Sequence, residues 1–331
     1  MIKLATIGTS WITEQFISAC LDNGNYELSK VYSRDIYKAQ AFVDKFDAGQ
    51  AVDVRKHLYT EDVDVIYIAS PNSLHFEHAM EAMNAGKHVI IEKPQFSSVF
   101  EWEQAHQLAK HKQVFIFEAV RHIHTDAYHY LKKLMEYRVH TLNYPFLGAN
   151  FSIGQYSSKY DLYLDSLKDH IEVPNIFNPD FSGGSLMDLG IYPLYVAVAL
   201  FGKPENVKYE CVEGNNGVDL LGTIILHYHT YMVTIFVSKA VVSRQVNEVY
   251  VGDETIEISH ISDLTFISLI NRQGDCLDEF QYLPDNPLSD EVAFFADVMN
   301  GKARQSTYME LESLSYDVMS VIEALNQYRD D

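Results

Sequence analysis

The stretch IKLATIGTSWIT, residues 2–13, decides how the rest of this chain is read. Its first half, 2–7, is a short apolar run suited to a strand buried on both faces, and Gly8 follows it directly. A glycine between such a strand and a helix is where a parallel sheet keeps the dinucleotide fingerprint G-x-G-x-x-G. Gly8 fills the first place, whereas Ser10 and Thr13 fill the second and third. Serine is small and brings a hydroxyl, and Thr13 is expected to cap a helix beginning at Glu14. A helix N-terminus favours an anion without needing glycine. Gly8, Thr9, Ser10, Trp11 and Ile12 therefore form a candidate diphosphate turn, with a plain strand-to-helix turn as the alternative.

The same alternation continues outward. Strand-like runs at 28–33, 63–70, 87–91 and 114–118 are separated by helical patterns at 14–23, 37–46, 74–85 and 99–110. VDVIYIAS, 63–70, is apolar on nearly every residue, as a strand covered by helices on both sides must be. This spacing predicts an α/β fold with a Rossmann-type, doubly wound parallel sheet over 1–120. Beyond 121 the pattern changes. A helix at 125–138 and a strand near 146–153 lead into a polar, tyrosine-rich segment, 154–181, read as a binding loop. Helical residues 185–201, strand-like runs over 205–283 and helices at 289–300 and 308–329 follow. They predict a second, α+β domain over 121–331, built on a largely antiparallel open sheet.

Composition narrows the function. Forty-six acidic against 25 basic residues give a formal charge of −21, which repels nucleic-acid backbones and anionic lipid. No uninterrupted apolar run approaches the roughly 18 residues of a membrane span. Cys20, Cys211 and Cys276 are odd in number and far apart, which predicts reduced thiols, no metal site and a cytoplasmic location.

Four stretches carry chemistry. Ser33-Arg34-Asp35 ends the second strand, where an acid binds a ribose hydroxyl or an arginine takes a 2′-phosphate. Ser33 and Arg34 together favour NADP(H) over NAD(H), although Asp35 could simply cap the next helix. Ser70, Pro71, Asn72 and His75 of ASPNSLH stand at a strand's carboxyl end, where such sheets bind ligands. In IIEKP, Glu92 and Lys93 are delivered at a strand end that Pro94 terminates. In SGGSLMDLGIYPLY, 182–195, Asp188 and Tyr192 are four apart on a predicted helix that Pro193 should bend. A tyrosine exchanges protons near neutrality only when a nearby cation lowers its pKa from about 10, and Lys93 is the candidate cation.

Taken in order, the N-terminal strand–glycine turn, SPNSLH, AGKHVIIEKP, FEAVRHIH (117–124) and GGSLMDLGIYPL resemble the glucose–fructose oxidoreductase/inositol dehydrogenase (Gfo/Idh/MocA) family. The tyrosine at 192, where many members carry histidine, is similar to its dihydrodiol dehydrogenase-like branch. The resemblance implies an NADP(H)-dependent oxidoreductase moving a hydride between nicotinamide and a sugar, polyol, diol or related carbonyl compound. It implies catalytic roles for Lys93, Asp188 and Tyr192, and substrate contacts from Glu118, Arg121, Tyr156 and Tyr160, with Tyr163 a further stacking candidate. A homodimer or homotetramer through the C-terminal sheet is also implied. The family contains non-catalytic cofactor-binding sensors, and the complete Lys93–Asp188–Tyr192 set argues for turnover.

Overall fold

The computed structural model describes residues 1–169 and 171–330. The chain divides into two compact units, Met1–Arg121 with Pro284–Ser313, and His122–Leu283 with Leu314–Asp331.

In the first unit the elements are β1 (Ile2–Ile7), α1 (Trp11–Asn23), β2 (Tyr26–Tyr32), α2 (Ile36–Phe46), β3 (Gln50–Val52), β4 (Val65–Ile68), α3 (His75–Asn84), β5 (His88–Glu92), α4 (Val99–Lys112) and β6 (Ile116–Ala119). The strands lie in the order β3-β2-β1-β4-β5-β6, every pair parallel. Alternate side chains feed two cores. Leu4, Val65, Tyr67 and Ile90 point to one face, while Ile7, Ile66, Ile68 and Ile91 point to the other. Both faces are therefore apolar, and the strands read as continuous hydrophobic runs.

The structure corrects the expected start of α1. It begins at Trp11 with Ser10 at the N-cap, and Thr13 is buried inside the first turn, its hydroxyl 3.3 Å from that of Ser10. Gly24 closes the helix in the left-handed conformation. β3 is only three residues long, and its sequence carries no alternation by which to find it.

The second unit opens with α5 (Asp126–Glu136), whose first turn receives the Thr125 hydroxyl as its cap. Next come β7 (Phe146–Gly154), α6 (Tyr160–Asp169) and α7 (Ile191–Phe201). The segment expected as a loop thus carries a ten-residue helix and short turns. Seven strands follow: β8 (Asn206–Glu213), β9 (Asp219–His227), β10 (Met232–Ser238), β11 (Asn247–Val251), β12 (Glu254–Ile258), β13 (Phe266–Asn271) and β14 (Cys276–Gln281). With β7 they make a sheet ordered β14-β13-β12-β11-β7-β10-β9-β8, antiparallel except at β7–β10. One helical stretch among the described residues, Pro179–Phe201, is long and apolar enough to cross a membrane, but 72% of its apolar 18-residue window is buried inside the protein.

Pro193 is the third residue of α7, which continues the helical run of the turn before it, so the missing N–H and the ring are accommodated inside that run. The turn before it, Leu186–Gly190, widens to a π-helix. The chain ends in α8 (Ser289–Met299) and α9 (Gln305–Asp330). Val292, Phe295 and Ala296 of α8 pack into the β1–β4 core, which places that helix in the first unit although the sequence suggested the second.

Gly8 is at φ 117°, and a Cβ there would stand 2.7 Å from the Ala69 carbonyl oxygen. Replacing it therefore strains both backbone and packing. Gly8→Ala should lower unfolding stability by about 2 kcal/mol or more in urea titrations, whereas Gly24→Ala, with open space around it, should cost less.

Candidate cofactor and active site

At the carboxyl ends of β1, β2 and β4 lies a cleft of about 550 Å³. It sits where the strand order reverses between β1 and β4, the position at which doubly wound sheets bind ligands. Of the residues expected at a cofactor, Gly8, Thr9, Ser33, Arg34, Ser70 and Pro71 line it. The sequence reading missed Lys38, Arg55 and His78, which also line it. Lys38 lies one helical turn beyond Arg34, and both are exposed. Asp35 caps α2 by accepting the Tyr37 N–H at 3.0 Å, the plainer of its two readings. Arg34 and Lys38 therefore bring two cations to the place where a 2′-phosphate would lie.

The other expected cofactor residues do not line this cleft. Ile12 packs against the core and Trp11 is 70% exposed. Ser10 stands at the N-cap position of α1 without a side-chain cap bond, and Asn72 opens a short turn leading into α3. His75 is fully buried, with Nε2 2.9 Å from the Ser70 carbonyl and Nδ1 3.0 Å from the Pro94 carbonyl. It ties the end of β4 to the end of β5 and so serves backbone geometry, a correction to its expected ligand role. Burial pulls its pKa down, and the two carbonyls oppose that pull.

Lys93 follows β5 in the first unit, at a cis bond to Pro94. Its setting is acidic and deep. The Tyr67 hydroxyl donates to Glu92 at 2.5 Å, and burial raises the pKa of this half-buried carboxyl. Glu118 accepts the Gln95 N–H at 3.0 Å and fixes the chain just past Lys93, a supporting role where substrate contact was expected. Arg121 ends the same stretch, and its charge favours the ionised form of Glu92. Glu291 of α8, unnoticed in the sequence, is 1% exposed, and among the described residues neither carboxyl oxygen has a hydrogen-bond partner; burial and the Glu92 charge push its pKa well up.

In the second unit, Asp188 occupies the π-turn and Tyr192 the first turn of α7. Asp188 Oδ2 is 2.5 Å from the ammonium of Lys239, a residue missed because it stands just past β10, far along the chain. Lys239 is buried, and its charge also lies 5.2 Å from the centre of the Phe177 ring. The turn itself hangs on Asp219, which accepts the Leu186 N–H at 2.7 Å and the Tyr209 hydroxyl at 2.6 Å. Gly184 is obligatory there, because a Cβ would overlap the Asp219 carboxylate. His122 donates from Nε2 to the Tyr192 carbonyl at 3.1 Å and lies beside its ring. Tyr156 is exposed and bonded to Asp161, and Tyr160 stands edge-on to it. Tyr163 is buried against Phe177, a core residue and not a stacking surface.

A family model for oxidoreductases with an NAD-binding Rossmann fold (GFO_IDH_MocA) matches residues 2–120, and the GFO/IDH/MocA C-terminal domain matches 161–259. The uncharacterized oxidoreductase YgjR of Escherichia coli (strain K12) is 35% identical over 308 residues, 91% of this chain and 89% of that protein. The scyllo-inositol 2-dehydrogenase (NADP(+)) IolU of Bacillus subtilis (strain 168) is 37% identical over 275 residues, 83% and 81% of the two chains. Among solved structures, levoglucosan dehydrogenase with NADH and levoglucosan shares the fold at a TM-score of 0.83 and 15% identity, over 99% of this chain and 97% of that one. KijD10, a 3-ketoreductase from Actinomadura kijaniata, in complex with NADP and TDP-benzene shares it at 0.82 and 19% identity, over 98% and 97%.

The Asp188–Lys239 pair gives a test that needs no substrate. Lys239 is 2% exposed and Asp188 35%, so removing the carboxylate strands a buried ammonium, whereas removing the lysine leaves a carboxylate that water partly reaches. Lys239→Met and Asp188→Asn should each lower unfolding stability by about 1–3 kcal/mol, and the double variant should recover part of that loss. Strict additivity of the two losses would mean that the pair does not interact.

Proposed function

Because the chain belongs to the Gfo/Idh/MocA family of oxidoreductases, we propose that it is an NADP(H)-dependent enzyme that interconverts a hydroxyl and a carbonyl on a sugar, polyol or diol. The observation that carries the coenzyme is the pair of cations, Arg34 and Lys38, on the cleft at the β1–β4 switch point. Arg55, although it lines the same cleft, is neutralised by Glu77 and Glu81 and adds little attraction for a phosphate. The relative IolU is named for NADP(+), which agrees with this assignment.

The chain's own groups fit a proton-transfer role beside such a coenzyme. When bound, the nicotinamide supplies or accepts the hydride. Lys93 donates a hydrogen bond to the reacting oxygen and stabilises negative charge on it. Tyr192 gives or takes the hydroxyl proton, with its backbone fixed by His122. Asp188, paired with Lys239, accepts a hydrogen bond from a substrate hydroxyl. The aromatic segment bearing Tyr156 and Tyr160 flanks the sugar face.

The assembly reading is a homodimer or homotetramer through the second unit's sheet. Its support is the exposed apolar side chains Leu147, Met232, Phe266 and Leu277, on β7, β10, β13 and β14. Light scattering should give a mass of two or four chains; a monomer at micromolar concentration would refute it. The free thiols, including exposed Cys276, support a reducing, cytoplasmic location. The charge of −21 supports a small-molecule substrate over nucleic acid or a membrane surface.

The functional test is a coenzyme titration followed by turnover. Wild type should bind NADPH at least tenfold more tightly than NADH, and Arg34→Ala with Lys38→Ala should abolish that preference while leaving NADH binding nearly unchanged. With an inositol and aldose panel, Tyr192→Phe and Lys93→Met should each lose about a hundredfold or more in kcat yet still bind NADPH. A wild-type chain that binds neither coenzyme would overturn the proposal.

A further inference from the structure

A chain of hydrogen bonds runs through the wall of the coenzyme cleft and ends on Ser70. Arg55 Nε and Nη2 donate to the two carboxyl oxygens of Glu81 at 3.1 and 2.9 Å, and Nη2 donates to Glu77 at 2.6 Å. The Tyr59 hydroxyl also donates to Glu81, at 2.7 Å. This leaves Arg55 Nη1 facing His78 Nε2 at 2.9 Å, and His78 Nδ1 facing Ser70 Oγ at 2.9 Å.

The direction of every bond in this chain is fixed by what a guanidinium can do. It has donors and no acceptor, so the contact with His78 must place the lone pair on Nε2. The ring is then neutral with its hydrogen on Nδ1, and Nδ1 donates to Ser70 Oγ. Burial and the adjacent Arg55 charge hold the His78 pKa down near 4, in keeping with a neutral ring. Ser70 Oγ, occupied as an acceptor, keeps its own hydrogen for another partner. Among the described residues it makes no second hydrogen bond, and Ser70 lines the cleft with Gly8, Arg34 and Lys38.

We infer that Arg55 and His78 are positioning residues that commit Ser70 to donate a hydrogen bond to an acceptor oxygen of the dinucleotide's ribose–diphosphate backbone. The inference rests on the coenzyme reading above and adds to it a polarity. Without the relay, a serine hydroxyl at this place is free to rotate and to act as acceptor toward a ribose hydroxyl. With it, the bonded hydrogen is aimed at the coenzyme before the coenzyme arrives, and less rotational freedom is lost on binding. Arg55 itself is a poor phosphate ligand, since three of its four hydrogen bonds go to carboxylates and the fourth to His78.

The test is calorimetric titration of the full chain with NADPH, with ligand-free unfolding midpoints as the control for folding. Ser70→Ala should weaken binding about tenfold, the usual consequence of losing one useful hydrogen bond. His78→Phe should weaken it similarly, and the Ser70→Ala/His78→Phe double variant should be no worse than either. His78→Gln should restore most of the affinity, because a glutamine amide can accept from Arg55 with its oxygen and donate to Ser70 with its nitrogen. Should His78→Phe fail to fold, Arg55→Met supplies the same break from the other side, and its loss should likewise vanish when Ser70 is already alanine. Additive losses, or Ser70→Ala binding as wild type, would overturn the relay while leaving the coenzyme assignment intact. Absence of NADPH and NADH binding by wild type would overturn both.

Discussion

The approach of two strand ends, Gly8 after β1 and Ala69 after β4, is the constraint on which the coenzyme cleft depends. These strands are neighbours in the sheet, and the chain leaves them toward opposite sides. The crevice between the departing connections is shallow unless the backbones come close, and only a residue without Cβ permits 2.7 Å from a position where a Cβ would be. With that contact made, α1 starts at once, at Trp11, two residues past Thr9 on the cleft wall. The second and third glycines of the usual fingerprint are dispensable because the tight spot is at the first.

Charge is organised locally against a strongly acidic whole. The chain carries −21 in total, yet Arg34 and Lys38 lie together on the cleft without a carboxylate ion-paired to either among the described residues. At physiological salt a field from charges beyond about 8 Å is largely screened, so the two cations are set chiefly against Asp35, which lines the same cleft while capping α2. Arg55 shows the opposite arrangement. Its charge is spent on Glu77 and Glu81, and what remains useful is the direction of its N–H groups. One cleft thus uses cations in two ways, as charge and as fixed donors.

The second unit follows the same economy with buried groups. Asp219 caps the π-turn that carries Asp188, and Lys239 holds the Asp188 carboxylate. Burial raises the Asp219 pKa, and the Tyr209 hydroxyl and Leu186 N–H act against that rise by bonding the charged form. A widened helical turn is a costly local geometry, and it recurs where side chains must be aimed. Here the aimed residue is Asp188, one turn before Tyr192.

Local sequence determined the parallel α/β class, the glycine turn, the Arg34 strand end and the position of Lys93 after β5. Each of these is encoded within a few residues by hydrophobic period, a turn residue or a proline. Asp35 could be read either way, since an aspartate before a helix serves as cap or ligand, and the structure shows it both bonded to the Tyr37 N–H and lining the cleft. Helical spacing put Asp188 and Tyr192 on one face, and the family resemblance supplied their expected catalytic roles. Tertiary structure alone decided that Lys239 meets Asp188, that His78 stands between Arg55 and Ser70, and that Tyr163 is core. Those pairings join residues brought together by strand order and helix packing, and no local pattern of polar residues records which distant partner a folded chain will supply.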